Sequence, residues 1–207
     1  RKPPKRIAKR KPSSEARKKK TMSIVLAFLM VISLGGIFFG TQQTTTNQNF
    51  EYEGQDFELV PDQSTGQLLF VTEIDDQQIP FYTLPQDALR IEQTGGLDPL
   101  LRNAEVITIS TDGNVTNAPV FDEIRFGLDF YGGKATQGAT LGPINGSSLP
   151  VRSCVDATPQ QPVIEVLYGE QSEMLVTQNG CVQTTLREID TALLRDRLLY
   201  SVTGIIE

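Results

Sequence analysis

Histidine is absent from all 207 residues. That removes the commonest general base, the commonest transition-metal ligand and any Cys-His nucleophile pair. Cysteine occurs only twice, as Cys154 and Cys181, too far apart for a C-x-x-C redox pair, and without histidine a two-cysteine zinc site is not expected. No G-x-S-x-G occurs and no internal repeat is visible. Gly132-Gly133-Lys134-Ala135 is not a phosphate loop: Ala stands where Ser or Thr is needed, and the stretch follows a helix pattern, so it reads as a helix stop. Asp112-Gly113-Asn114 lacks the remaining ligands of a calcium loop and reads as a turn. The carboxylate pairs Asp75-Asp76 and Asp122-Glu123 fall in a predicted turn and a predicted first helical turn, where acids are expected structurally. No catalytic residue, cofactor or metal is assigned on this basis.

Charge of one sign is scarce at each end of the chain. Residues 1–20 carry eleven Lys/Arg against Glu15 alone (+10), whereas residues 41–207 carry eight Lys/Arg against twenty-four Asp/Glu (−16). Such a split places the two ends in different surroundings. Between them, Met22–Phe39 (MSIVLAFLMVISLGGIFF) has no charge at all. Eighteen helical residues rise roughly 27 Å, close to the roughly 30 Å hydrocarbon core of a bilayer. The run is long for a signal peptide, and its exit through Gly36-Ile37-Phe38-Phe39-Gly40-Thr41 is a poor cleavage site. A retained anchor over residues 21–40 is therefore the expectation, with a cleaved signal as the alternative. Cations beside a span stay in the cytoplasm, so the N-terminus is expected inside and the C-terminal part outside. The chain starts at Arg1 rather than Met, and further residues are expected before it.

The organisation expected is a disordered basic tail at 1–20, the transmembrane helix at 21–40, a polar uncharged spacer at 41–49 (TQQTTTNQN) and one extracytoplasmic domain at 50–207. Arg17, Lys18, Lys19 and Lys20 are the candidates for contact with anionic lipid headgroups, each worth roughly 1 kcal/mol near the surface; nucleic acid is not expected as a partner. Asn114-Val115-Thr116 and Asn145-Gly146-Ser147 are candidate glycosylation sequons in expected external loops. An even cysteine count in a translocated domain favours a Cys154–Cys181 disulfide, with two buried thiols as the alternative. A bridge would contribute about 3 kcal/mol.

Within the domain, strands are expected at Phe57–Val60, Leu68–Ile74, Ile79–Leu84, Val106–Ser110, Leu149–Cys154, Val163–Tyr168, Met174–Gln178 and Cys181–Thr184. A four-residue loop, Asp75–Gln78, joins the second and third as a hairpin, and Gly169–Ser172 joins Val163–Tyr168 to Met174–Gln178 as another. Lys134–Ser148 reads as a surface loop. Helices are expected at Leu97–Asn103, from Asn117 or Ala118 to Gly132, and over Leu186–Ile206. In the second, Phe126 and Phe130 widen the apolar stripe, as in a helix packed on more than one side. In the last, Leu186, Ile189, Leu193, Leu194, Leu198, Val202 and Ile205 form one face while Arg187, Arg195 and Arg197 point to water. The fold class is α/β (α+β), with a mixed sheet and packed helices. Gln161-Pro162-Val163 followed by a hairpin and a terminal helix resembles the C-terminal half of a degenerate thioredoxin fold.

The basic tail and span, together with Tyr52–Phe57 (YEGQDF), Ile79–Pro85 (IPFYTLP), Leu149–Cys154 (LPVRSC), Asn179-Gly180-Cys181 and Asp196–Tyr200 (DRLLY), resemble an uncharacterised family of small archaeal single-pass membrane-anchored proteins with no assigned activity. The resemblance implies the same topology and the same cysteine pairing, and no functional residues. The function expected is a membrane-anchored, non-enzymatic domain that binds or supports another envelope protein. A thioredoxin-like redox accessory or enzyme at the outer face is the alternative.

The topology makes a direct prediction. Protease added to intact spheroplasts should degrade residues 50–207 and spare the basic tail; full protection of the domain across an intact membrane overturns the orientation.

Overall fold

The computed structural model describes residues 48–112 and 118–206. The basic tail, the apolar run Met22–Phe39 and sequon Asn114 lie outside the described residues, and among the described residues no helix is long and apolar enough to cross a membrane.

The first four strands, β1 (Asn49–Tyr52), β2 (Gln55–Pro61), β3 (Leu68–Ile74) and β4 (Gln77–Phe81), form an antiparallel meander in chain order. Its tight turns follow from the residues. Glu53-Gly54 and Asp75-Asp76 all have positive φ, between 49° and 84°, the conformation that lets a two-residue turn match strand twist. The expected four-residue loop after Ile74 is thus two residues, and Gln77 pairs directly with Ile74. Aspartate tolerates this backbone better than most side chains.

A second sheet is assembled from β5 (Glu92–Thr94), β6 (Val106–Thr111), β7 (Ala135–Thr140), β8 (Val163–Tyr168), β9 (Glu173–Val176) and β10 (Cys181–Leu186), in the order β5-β9-β10-β8-β6-β7. There are therefore two sheets, one antiparallel and one mixed, with helices between and around them, which is an α+β architecture. Helix α1 (Pro85–Ala88) follows the meander, α2 (Leu97–Arg102) precedes β6, and α3 (Ala118–Phe126) continues into a π-helical turn, Gly127–Tyr131. Helix α4 (Thr191–Thr203) is last and ends on Gly204 in the left-handed conformation.

Several expectations fail, each for a physical reason. Val163–Tyr168 and Met174–Gln178 do not form a hairpin. β10 lies between β8 and β9, parallel to the first and antiparallel to the second. β10 buries four of its six residues and β9 only one, so the more apolar strand takes the interior place and Asn179-Gly180 becomes the hairpin turn. With β8 parallel to β6 and no cis peptide bond among the described residues, the second half lacks the thioredoxin arrangement. Part of the expected loop Lys134–Ser148 is β7, which pairs with β6 over its full length. Its small residues are a packing requirement, because a Cβ on Gly138 would lie 2.7 Å from the Phe121 ring. Leu149–Cys154 is not a strand: only Val151 bridges to Thr140, and Cys154–Asp156 is a 3-10 turn closed by a Ser153–Asp156 capping box.

The last helix is shorter than its periodicity implied, because Leu186 belongs to β10, where Val182, Thr184 and Leu186 alternate inward. Ile189, counted on the apolar face, is 83% exposed in the 3-10 turn Glu188–Asp190. Arg195 and Arg197, expected in water, are 5% and 3% exposed. α4 runs between the two sheets. Leu194, Leu198 and Val202 pack with Ile107, Ile109, Ile164 and Val182 of the six-stranded sheet. Leu199 and Tyr200 pack with Phe57, Ile79 and Phe81 of the meander, the Tyr200 ring stacking on Phe81 at 4.0 Å. A helix covered on both sides has no solvent face to give its charges.

One glycine tests the sheet assembly. Gly180 has φ +89°, and a Cβ there would lie 2.3 Å from the Thr158 carbonyl oxygen. Gly180→Ala should destabilise the domain by about 2–3 kcal/mol in denaturant titration, whereas the same change at the open Gly142 should leave stability within about 1 kcal/mol.

Candidate functional site

The chemistry-bearing side chains gather in three places. The first is the buried middle of α4. Asp196 Oδ2 accepts from the Tyr82 and Thr83 backbone N–H groups, both at 2.7 Å, and from Thr83 Oγ1 at 2.9 Å. Its Oδ1 accepts from Arg195 Nη1 at 2.6 Å. The same guanidinium donates to the Pro80 carbonyl at 2.9 Å and lies 5.0 Å from the Tyr82 ring centroid and 5.9 Å from that of Tyr131. Gly127 leaves room for it, since a Cβ there would sit 3.2 Å from Arg195 Nε. One turn on, the Tyr200 hydroxyl donates to the Thr83 carbonyl at 2.5 Å. Arg197 points the other way, to Gln93 and to Asp98 at 3.8 Å.

Burial sets the electrostatics. It pushes the Asp196 carboxyl up to about 6, against the opposing pull of Arg195 and the Thr83 hydrogen bonds. Burial, then the bond to Glu123, pushes the Tyr82 hydroxyl up to about 12, so it is a neutral donor to that carboxylate. Burial also lowers Arg197 and raises Tyr200. These groups touch backbone and one another, and they work as a clamp on the β4–α1 junction. Glu123, expected in a first helical turn, lies beyond it, since the first turn of α3 carries no acid, and its partner is the Tyr82 hydroxyl. Sequence periodicity missed the cluster; the signal available was Arg195-Asp196-Arg197 inside an otherwise apolar run.

The second place is the cysteine pair. Cys154 and Cys181 are bonded, their Cα atoms 5.0 Å apart, closing a separation of 27 residues. Ser110, Glu165 and Gln183 share one row on the sheet face opposite the core, and Cys181 lies on that same face one row away. The Glu165 carboxylate comes within 4.8 Å of both sulfurs. It accepts from the Cys154 backbone N–H at 2.7 Å and from Gln183 Nε2 at 3.3 Å. Ser110 Oγ donates to the Arg152 carbonyl at 2.6 Å. The stretch carrying Cys154 is thus held to the sheet by polar side chains as well as by the bridge. Glu165 was missed as a site residue, although it is the one charge in the run Val163–Tyr168.

The third place is on the surface. Phe126 and Phe130, expected to be packed, are 54% and 61% exposed. Their rings stack at 5.3 Å, with Tyr131 edge-on at 5.7 and 5.0 Å. The π-helical turn closes a wider ring, Gly132 N–H to Gly127 O. Such turns re-aim side chains, and here Leu128 is buried and the two phenylalanines are outside.

Among the remaining sequence candidates, Asn145 is exposed in a turn, as a sequon requires. Arg17, Lys18, Lys19, Lys20 and Asn114 lie outside the described residues. Lys134 does not meet phosphate: its Nζ donates to the Arg102 and Ala104 carbonyls at the end of α2.

The clamp predicts two separable effects. Asp196→Ala orphans two N–H groups and a buried guanidinium, so it should cost about 3 kcal/mol in denaturant titration. Asp196→Asn keeps an acceptor and removes the titration. The folded value of about 6 lies above the ordinary 3.8, so between those pH values the folded chain holds a proton that the unfolded chain lacks. Wild type should therefore gain stability relative to Asp196→Asn as pH falls from 6 to 4; a pH-independent difference contradicts this.

No protein-family model, curated protein or solved structure matches the chain, so its function is argued from these three arrangements.

Proposed function

We propose that the chain is a single-pass, membrane-tethered domain outside the cytoplasm, and that it binds another envelope protein through the Phe126–Phe130 face. The observation carrying this reading is the exposed aromatic stack. Large rigid rings presented to solvent are the usual anchors of protein–protein contacts, and these two are fixed before any partner arrives. Gln77 Nε2 donates to the Phe130 carbonyl at 3.3 Å. Next to Phe130 in sequence, the Asp129 carboxylate accepts from the Thr136 N–H and hydroxyl at 2.7 and 2.8 Å. A fixed surface loses little conformational entropy on binding. Exposed Asp122 and Asp129 give the patch an acidic edge, which suits a partner offering an apolar pocket with a basic rim. In this reading the basic flank at residues 1–20 sets orientation and holds anionic lipid.

The test is site-specific photo-crosslinking in native membranes. A crosslinker at the exposed Asp122, on the edge of the patch, should capture one discrete partner, and one at the exposed Glu170 should not. Phe126→Ser with Phe130→Ser should abolish the capture while changing unfolding stability by less than about 1 kcal/mol. Equal capture from both positions, or capture that survives the double substitution, overturns the reading.

A further inference from the structure

We propose that Cys154–Cys181 is an exchange-competent disulfide that oxidises a cysteine dithiol on an apolar polypeptide segment, with Glu165 handling the proton of the leaving sulfur. Three independent observations meet at this point. First, the sulfurs are unequal: Cys154 is half-buried on a surface 3-10 turn, while Cys181 is 2% exposed at the start of β10. Cys154 is the more open to attack, and attack there makes Cys181 the leaving sulfur. Second, a buried carboxylate lies within 4.8 Å of both. Its bond to the Cys154 backbone N–H holds it there. Third, the residues flanking Cys154 expose apolar surface: Leu149 and Val151 are exposed, and Val155 is 90% exposed. That rim fits an apolar partner segment.

The segment does not depend on the bridge for its place. The bonds from Ser110 to Arg152 O, from Cys154 N–H to Glu165 and from Asn179 Nδ2 to Cys154 O at 3.3 Å remain when the sulfurs separate. The reduced pair therefore stays aligned for reclosure.

The step balances. A partner thiolate attacks Cys154 Sγ, the Sγ–Sγ bond breaks, and Cys181 Sγ leaves with the electron pair. Cys181 takes up, by way of Glu165, the proton given up by the partner thiol. The second partner thiolate attacks the partner's own sulfur in the mixed disulfide, and Cys154 Sγ leaves and takes the second proton. The partner loses two electrons and two protons and becomes a disulfide; Cys154 and Cys181 become thiols. On the overlying segment Arg152 and Asp156 are paired with each other at 3.6 Å, and β6 and β10 supply the non-titrating Ser110 and Gln183 beside Glu165. The proposal uses neither the phenylalanine face nor a thioredoxin arrangement.

The experiment uses the full chain in detergent, with circular dichroism followed throughout. A short apolar peptide carrying two cysteines should reduce the native disulfide with the spectrum unchanged, and at least tenfold faster than a charged peptide of equal length. With the same peptide in its oxidised, disulfide form, the Cys154 thiolate of Cys181→Ser should attack the peptide disulfide, releasing one peptide thiol and leaving a mixed disulfide at Cys154, whereas Cys154→Ser should react at least tenfold more slowly. Glu165→Gln should alter the pH–rate profile of peptide exchange, a readout that a merely structural carboxylate would not move. Reduction only in denaturant overturns the proposal on the wild-type chain alone. So do equal rates for the two single-cysteine variants, equal rates for the two peptides, or an unchanged profile in Glu165→Gln.

Discussion

The carboxylate of Asp196 is the point on which the two sheets depend. It lies on a helix whose one flank belongs to the six-stranded sheet and whose other belongs to the meander. Its acceptors take both N–H groups at the junction where the meander ends and α1 begins. A buried backbone N–H without an acceptor costs about as much as a lost hydrogen bond, so this junction has to meet α4 in one register. Tyr200, four residues on, takes the carbonyl of the same Thr83. Apolar packing brings helix and sheets together, and these directional bonds select one way of doing so.

The neighbouring charges follow from that choice. Burying Asp196 beside backbone dipoles alone would leave its charge poorly compensated, and Arg195 offsets it at 2.6 Å while stacking between two tyrosine rings. Arg197, on the other side of the helix, finds Gln93 and Asp98 near β5 and α2. The helix thus carries a polar contact to each sheet region within three consecutive residues. An all-apolar helix of the same volume could pack as tightly, but it would carry no marker of which face belongs to which sheet.

The opposite face of the large sheet uses the same device for a different end. Ser110, Glu165 and Gln183 form a polar row where a sheet covered on both sides would ordinarily be apolar. The covering segment is a loop rather than a helix, so it brings unpaired backbone groups that need partners, and Ser110 and Glu165 supply them. That requirement puts a carboxylate next to two sulfurs, which is the origin of the chemistry proposed there.

The α+β class, the strands at Leu68–Ile74, Val106–Thr111 and Val163–Tyr168 and the helix at Leu97–Arg102 were legible in the sequence, because period-2 and period-3.6 patterns, prolines and glycines act locally. So was the meeting of Cys154 and Cys181. Strand order was not. Nothing local to Val163–Tyr168 or Glu173–Val176 says that β10 will part them; that depends on which strand best fills the central place against the core. The status of Arg195, Asp196 and Arg197 was hidden for the same reason. Periodicity identifies an apolar stripe, but only the second sheet's arrival turns the opposite stripe into interior. Glu165 and the Phe126–Phe130 stack completed the reversal, one charge drawn inside by a loop's unpaired N–H and two rings left outside by a widened turn. Local physics determined which segments became strands and helices, and only tertiary packing, through burial and the pairing of polar groups it forces, decided which side chains could act.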